Sequence, residues 1–356
     1  MTLSAFDHPW LSGLFEDKPM ADIWSADKQM AHMQSFEAAW SRALGKHVVG
    51  DETIGETAAR AIESMNVDLG DIRAGLAIDG VPIPRMVGQM KAAAGDDAVS
   101  AGVVHKGATS QDVVDSALAL TLRDTSMLIA GRMMELETAL KALEAQFGDR
   151  PMMGRTRMQA ATEITVADRV QAWRIPLAAH LTRLDQLRPR VELVQIGGAS
   201  GDRKALGEAA NAVVTDVAAD LGLTATHKAW HAMRDGIAEY ASFLSLVSGT
   251  LGKIGQDICL MAQQGIDEVR MSGGGGSSAM PHKQNPVLAE LLVTLARFNA
   301  VQVSGMHHAL LHEQERSGAA WSLEWMLLPQ MAQTTGRGLS AAIDLCARIE
   351  RLGAAD

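Results

Sequence analysis

SQDVVDSALALTLRDTSMLIAGRMMELETALKALEAQFG, residues 110–148, decides the fold. The run holds no proline, and Gly131 is its only glycine before Gly148. At 1.5 Å per residue such a helix is roughly 55–60 Å long. A second long helix is expected over about Trp230–Val269, with apolar Ile237, Tyr240, Phe243, Leu244, Val247, Leu251, Ile254, Ile258 and Met261 at helical spacing. Helices longer than a small domain belong to bundles or coiled coils. The fold class is therefore read as all-α. Phe243–Leu251 is apolar over more than one stripe, and Ser245, Ser248, Gly249 and Gly252 permit close helix contact. Burial against other subunits is the expectation for that helix.

Around this frame the chain divides in two. Its 356 residues exceed one compact core and fall short of three. A small helical N-terminal domain is expected over 1–104 and a long-helix bundle over 105–356. Ala26–Lys46 carries a helical stripe through Met30, Met33, Phe36, Trp40 and Ala43, and Gly80–Pro84 is a break. Further helices are read at Ala161–Arg188, kinked at Pro176, at Asp202–Leu221 and at Val287–Leu311. Gly197–Gly201 reads as a glycine loop but not a phosphate loop, because no GxxxxGK[ST] follows a strand.

The formal net charge of −10, with no basic tract, argues against a nucleic-acid partner. A small anionic substrate stays open, since a few cations in a pocket set the local field. Cys259 and Cys346 lie in apolar helical patterns, which suits reduced thiols in the cytoplasm. The N-terminus has no basic segment followed by an apolar run, so no signal peptide is expected. Tyr240–Gly252 lacks charge but is too short to span a bilayer, so no membrane partner is expected.

Three short stretches carry chemistry. Ser272–Pro286 reads SGGGGSSAMPHKQNP. Four glycines hold no preferred φ, so they form a hinge, and Pro286 suits a helix start. The hinge would deliver Ser277, Ser278, Lys283 and Asn285 to a helix N-terminus, where anions are favoured. By composition alone the same stretch is a plain linker. His105–Asp112 reads HKGATSQD. Thr109 caps the long helix, with Asp112 completing an imperfect capping box. The same terminus, with His105, Ser110 and Gln111, could bind a carboxylate. Gly154–Gln159 reads GRTRMQ and carries Arg155, Thr156, Arg157 and Gln159.

Together these strings resemble the three active-site motifs of the fumarase/aspartase superfamily, over roughly residues 20–345. The resemblance implies that the glycine-rich loop closes over substrate, with Ser277 as the catalytic proton carrier and Lys283 and Asn285 on a substrate carboxylate. Ser278 and Met280 belong to the same loop. Many members carry a general-acid His directly after the motif's Thr156, where this chain has Arg157. An amine or hydroxide leaving group needs that proton; a carboxylate, with reference pKa about 4, does not. WHAMRD at 230–235, Glu315-Arg316-Ser317 and Glu324-Trp325 likewise resemble the 3-carboxy-cis,cis-muconate cycloisomerase branch. That branch implies a tricarboxylate substrate, no cofactor, no metal and a homotetramer with sites shared between subunits. Another lyase of the superfamily, such as adenylosuccinate lyase, or an inactive structural homologue is the alternative. The long members continue with a third helical domain, so a sequence stopping soon after Arg351 reads as a short form.

The remaining candidates are weaker. His308 and His312 are read four apart on one helical face beside Glu313, but HExxH fails at Arg316, and His227 and His231 share the spacing. A helical His pair without a third ligand is more often structural than metal-binding. Arg316 is either a surface ion pair with Glu313 or Glu315 or a bidentate carboxylate clamp; the resemblance favours the clamp. The methionines read as core filler.

Overall fold

The computed structural model describes residues 4–273, 275–276, 280 and 284–354. Two short helices, α1 (Ser12–Phe15) and α2 (Lys18–Ile23), precede α3 (Ala26–Leu44), α4 (Glu52–Ser64), α5 (Leu69–Asp79), α6 (Ile83–Ala94) and α7 (Asp96–Ala101). The long α8 (Ser110–Phe147) follows, then a hairpin of β1 (Pro151–Thr156) and β2 (Gln159–Thr165), and α9 (Val166–Val191). After α10 (Ala210–Leu221) come α11 (Asp235–Met261), β3 (Val269–Met271), β4 (Gly275–Gly276) and β5 (Gln284–Asn285). The chain closes with α12 (Val287–His308), α13 (Ala319–Arg348) and β6 (Ile349–Leu352).

Acidic and hydroxyl side chains start these helices. Ser25, Asp51 and Asp68 accept backbone N–H groups at the first turns of α3, α4 and α5, each cap being worth about 1 kcal/mol. Thr165 and Asp168 cap α9 reciprocally.

Five helices, α8, α9, α11, α12 and α13, enclose one apolar core. The N-terminal turns join it: Met20 is fully buried there, and Asp17 accepts Arg132 Nη1 at 2.8 Å. A second core unites α3 to α7 with the start of α8 and with Val194–Leu223, whose α10 packs on α3. Both cores thus draw on residues from either side of position 104.

α11 is buried within its own chain, by α9, α12 and α13. Phe243, Leu244, Val247 and Leu251 are at most 3% exposed, and only Leu246 points an exposed large apolar group outward. Much of the breadth of its apolar surface is taken up by these neighbours. Gly252 and Gly255 allow the closeness: a Cβ there would collide with Ala296 and with the Ala289 carbonyl of α12. α12 is long and apolar enough, by length and composition, to cross a membrane. In this structure it packs along α11 and α13, and its buried Asn299 donates to Ser248 and Thr335 hydroxyls.

Several expectations shift. Residues 159–165 are a strand rather than the start of a helix, because they pair with Pro151–Thr156 and α9 waits for its Thr165 cap. Pro176 lies inside α9, which continues past it to Val191. The second long helix runs Asp235–Met261, shorter than expected, because residues 230–234 turn inward. Residues 204–209 form a 3-10 turn before α10, kinked at Gly207 with φ 54°. Pro286 lies just before α12, and α12 stops at His308.

Candidate functional site

The chain from Gly102 to Thr109 coils tightly into α8, with His105 at φ 56° and Gly107 at φ 84°. Below it lies the 197–201 loop. A Cβ on Gly198 would stand 2.9 Å from the Gly107 carbonyl, and its φ is +66°, so the position admits glycine alone without strain. The Asp112 carboxylate, wholly buried, ties the pieces together. Its Oδ1 accepts from Gly197 N and His231 Nε2, both at 2.8 Å. Its Oδ2 accepts from Gly198 N at 2.9 Å and from Thr109 N at 3.0 Å. The glycine loop therefore supports the first motif and is not itself a ligand cradle.

At the mouth, Arg316 Nη1 donates to Thr109 Oγ1 at 2.6 Å. Arg316 is exposed, and among the described residues its side chain meets Thr109 rather than a neighbouring glutamate. Ser110 opens α8 half-buried beside it. His105 Nδ1 lies 2.5 Å from Glu37 Oε1 of α3. Burial disfavours its charged form, but the Glu37 carboxylate outweighs that and raises its pKa. A helix end and a guanidinium thus meet where a carboxylate would sit, with the His105–Glu37 pair in the coil that leads into the helix.

Gln111 does not join them. It is 1% exposed, and its amide donates to Asp115 Oδ2 and the His231 carbonyl. In this chain its amide nitrogen serves as internal support.

Beneath this end lies a buried charge chain. Arg234 Nη1 and Nη2 donate to Asp115 at 2.7 and 3.2 Å. Its Nε and Nη2 donate to Glu324 at 2.9 and 2.5 Å. Trp321 Nε1 adds a bond to Asp115 Oδ1. Burial works against ionisation of Glu324, yet Arg234 and His312 hold its carboxyl below the ordinary range. The sequence offered one signal for this: Asp112 and Asp115 flank Val113 and Val114 in an apolar stretch, where a carboxylate must find buried partners.

The second motif stands elsewhere. Arg155 Nη1 pairs with Glu268 Oε2 at 2.7 Å, which braces the hairpin rather than presenting a free cation. Thr156 faces Gln159 across the turn, and Arg157 and Met158 form it with φ 50° and 67°. Both are exposed, and Arg157 has no ion pair among the described residues. This hairpin follows α8 directly, so it lies a helix length from Thr109, roughly 55 Å away.

The glycine-rich stretch shares the hairpin's end of the bundle. Its stem, β3, pairs with β6, and Gly353 N donates to Glu268 O beside Arg155. Asn285 is half-buried and pairs with Gly275 in the β4–β5 ladder; Met280 is 43% exposed. Ser277, Ser278 and Lys283 lie outside the described residues. One chain therefore brings together His105, Thr109, Ser110 and Arg316 at one end, and Arg155, Thr156, Arg157, Gln159 and Asn285 at the other.

His308 and His312 do not share a helical face, since α12 ends at His308. His227 and His231 precede α11, and His231 is spent on Asp112. An apolar cavity of about 280 Å³ between α3, α5, α8 and α13, walled by Trp24, Met33, Leu118 and Trp325, is a packing gap too apolar for a polycarboxylate.

A lyase family model matches residues 19–305 of the chain. The 3-carboxy-cis,cis-muconate cycloisomerase of Pseudomonas aeruginosa is 37% identical over 342 residues, covering 94% of this chain and 74% of that protein. The solved 3-carboxy-cis,cis-muconate lactonizing enzyme from Pseudomonas putida superposes with a TM-score of 0.88 at 34% identity, covering 96% of this chain and 77% of that one. The N-acetyl-S-(2-succino)cysteine lyase of Enterococcus italicus is 31% identical over 320 residues, covering 89% of this chain and 70% of that protein.

Proposed function

The chain belongs to the lyase family of the fumarase/aspartase superfamily, and on that premise we propose that it is a 3-carboxy-cis,cis-muconate cycloisomerase of protocatechuate catabolism. The observation that carries the reading is the 37% identity to such an enzyme across 94% of the chain. Arg157, where many members hold a general-acid His, supports it chemically.

In this reaction one substrate carboxylate oxygen bonds to a carbon of the diene. The double-bond electrons move onto the carbon next to a second carboxylate, which takes up the charge as an aci-carboxylate. Protonation of that α-carbon gives 4-carboxymuconolactone, with net uptake of one proton. Charge grows on the second carboxylate in the transition state, so donors aimed there accelerate the step.

We assign that charge to the α8 N-terminus with Thr109 and Ser110, to Arg316 and His105, and to Lys283 and Asn285. Ser277 is assigned as proton carrier. A serine hydroxyl needs its alkoxide stabilised, and Lys283 with loop N–H groups would supply that. Arg157 is assigned to a further substrate carboxylate. Because the two groups of residues lie at opposite ends of one bundle, we assign each site to several subunits of a homotetramer. Exposed Met127, Ile175, Leu246, Val301 and Met326 on the bundle support assembly. Unpaired Cys259 and Cys346 support a cytoplasmic setting.

The test is loss of diene absorbance with 3-carboxy-cis,cis-muconate, without added metal or nucleotide. Rapid loss is expected, and Ser277→Ala should abolish it while leaving the fold intact. The similarity to an N-acetyl-S-(2-succino)cysteine lyase favours one second reading, a fumarate-releasing elimination. Fumarate from N-acetyl-S-(2-succino)cysteine or adenylosuccinate, with an untouched diene, would replace the first reading with that one.

A further inference from the structure

His312 occupies an unusual place. It lies in the connection between α12 and α13, yet its side chain is completely buried, 3.4 Å from Glu324 Oε1. Neither ring nitrogen makes a hydrogen bond of ordinary geometry to a described residue. An imidazole held so deep without conventional partners costs free energy unless another interaction compensates. Its neighbours supply one. Asp115 and Glu324 are two carboxylates against the single guanidinium of Arg234, all at most 2% exposed. His312 touches that cluster through Glu324, the carboxylate that Arg234 also holds.

The same connection carries Arg316. Gln314 between them sits at φ 50°, a conformation that a non-glycine residue holds only when its surroundings enforce it. Ser317, 5% exposed, fixes the far side by accepting the Ala320 N–H at the start of α13. Arg316 thus rides on a short span pinned at His312 and at Ser317. The cluster that receives His312 also reaches the opposite jaw, because Asp115 lies on α8 five residues beyond Ser110. Arg234 and Glu324 therefore link the span bearing Arg316 to the helix bearing Thr109.

We propose that His312 is a positioning residue: it locks the 309–318 connection onto Glu324 and so holds Arg316 against the α8 N-terminus, ready for a substrate carboxylate. It touches no substrate and acts through Arg316. The kinetic part of this rests on the cycloisomerase reading; the structural part does not.

The test compares His312→Leu, His312→Asn, His312→Gln, Arg316→Gln and the double variant His312→Leu/Arg316→Gln. Leu removes the polar contact, Asn is too short to reach Glu324, and Gln can still donate to it. With 3-carboxy-cis,cis-muconate, the Leu and Asn variants should raise KM about tenfold with kcat changed far less. Gln should recover most of the loss. In the Arg316→Gln background, His312→Leu should add nothing, the signature of two residues working as a unit. Amide hydrogen exchange over 309–318 should quicken in the Leu and Asn variants and not in Arg316→Gln. Additive kinetic effects, an unchanged KM or unchanged exchange would each overturn the proposal. Should the Leu variant fail to fold, Asn carries the comparison. If the unaltered enzyme leaves the diene untouched, the functional reading falls, and exchange alone then decides: quickened, His312 positions the span; unchanged, it does not.

Discussion

Gly198 shows how one missing methyl sets the candidate site. Its positive φ and the nearby Gly107 carbonyl leave no space for a side chain. Gly198→Ala should lower stability by about 1–3 kcal/mol, measured by denaturant melts, and weaken substrate binding through the displaced 105–109 coil. His105 makes a second prediction at this scale. Its folded pKa is raised by Glu37, so the pair's stabilisation is full below the ordinary value of about 6.5 and disappears as pH rises through the raised one. Glu37→Gln should erase that slope in stability-versus-pH curves. His32 and His180 run the other way. Burial, with Lys28 beside His32 and Arg183 beside His180, pushes each down to about 4. Their neutral forms stabilise above pH 6.5, and that contribution is lost as pH falls from there towards 4. The residue types of the site were legible in the motifs, but roles within them were not. Thr109 and Asp112 look alike as capping residues; only the fold shows that Asp112 faces inward to the 197–201 loop while Thr109 meets Arg316. No local pattern announces that Gln111 faces inward, since its partners come from residues 115 and 231.

Among the elements, the long helices were the most legible. Their apolar period survives over many turns, so Ser110–Phe147 emerges nearly as quoted. The β1–β2 hairpin was not, because Ala160 and Ala161 suit a helix and the pairing that overrides them lies in Pro151–Thr156. Nor was the true start of α11, where Trp230, His231 and Arg234 are pulled into the interior by distant partners. The hairpin turn carries its own prediction. Two-residue turns with both central φ positive favour Asn-Gly, yet this one uses Arg157-Met158. Met158→Gly should therefore stabilise the protein by up to about 1 kcal/mol in thermal or denaturant melts. Arg157→Asn should relieve strain equally but forfeit activity, because the strained residue there is the one assigned to substrate.

For the whole molecule, the decisive fact is distance. The Thr109–Arg316 mouth and the Arg157 hairpin cap opposite ends of α8, so the proposed site, which uses both, requires more than one chain. Specific activity should fall on dilution below the assembly's dissociation constant, and sedimentation should report smaller species over the same concentrations. This layout was legible only in outline: helix length gave the span, but which motif lies at which end of the bundle depends on how the helices pack, which local patterns do not spell out. The separation also has a genetic consequence. On the proposed shared-site assembly, a cell carrying two defective alleles, one with Arg316→Gln and one with Arg157→Gln, should make mixed assemblies in which about a quarter of the sites, by random pairing, draw both intact halves from different gene copies. Neither allele supports growth on the aromatic precursor alone, yet the heteroallelic pair should, so the two lesions would complement although they lie in one gene.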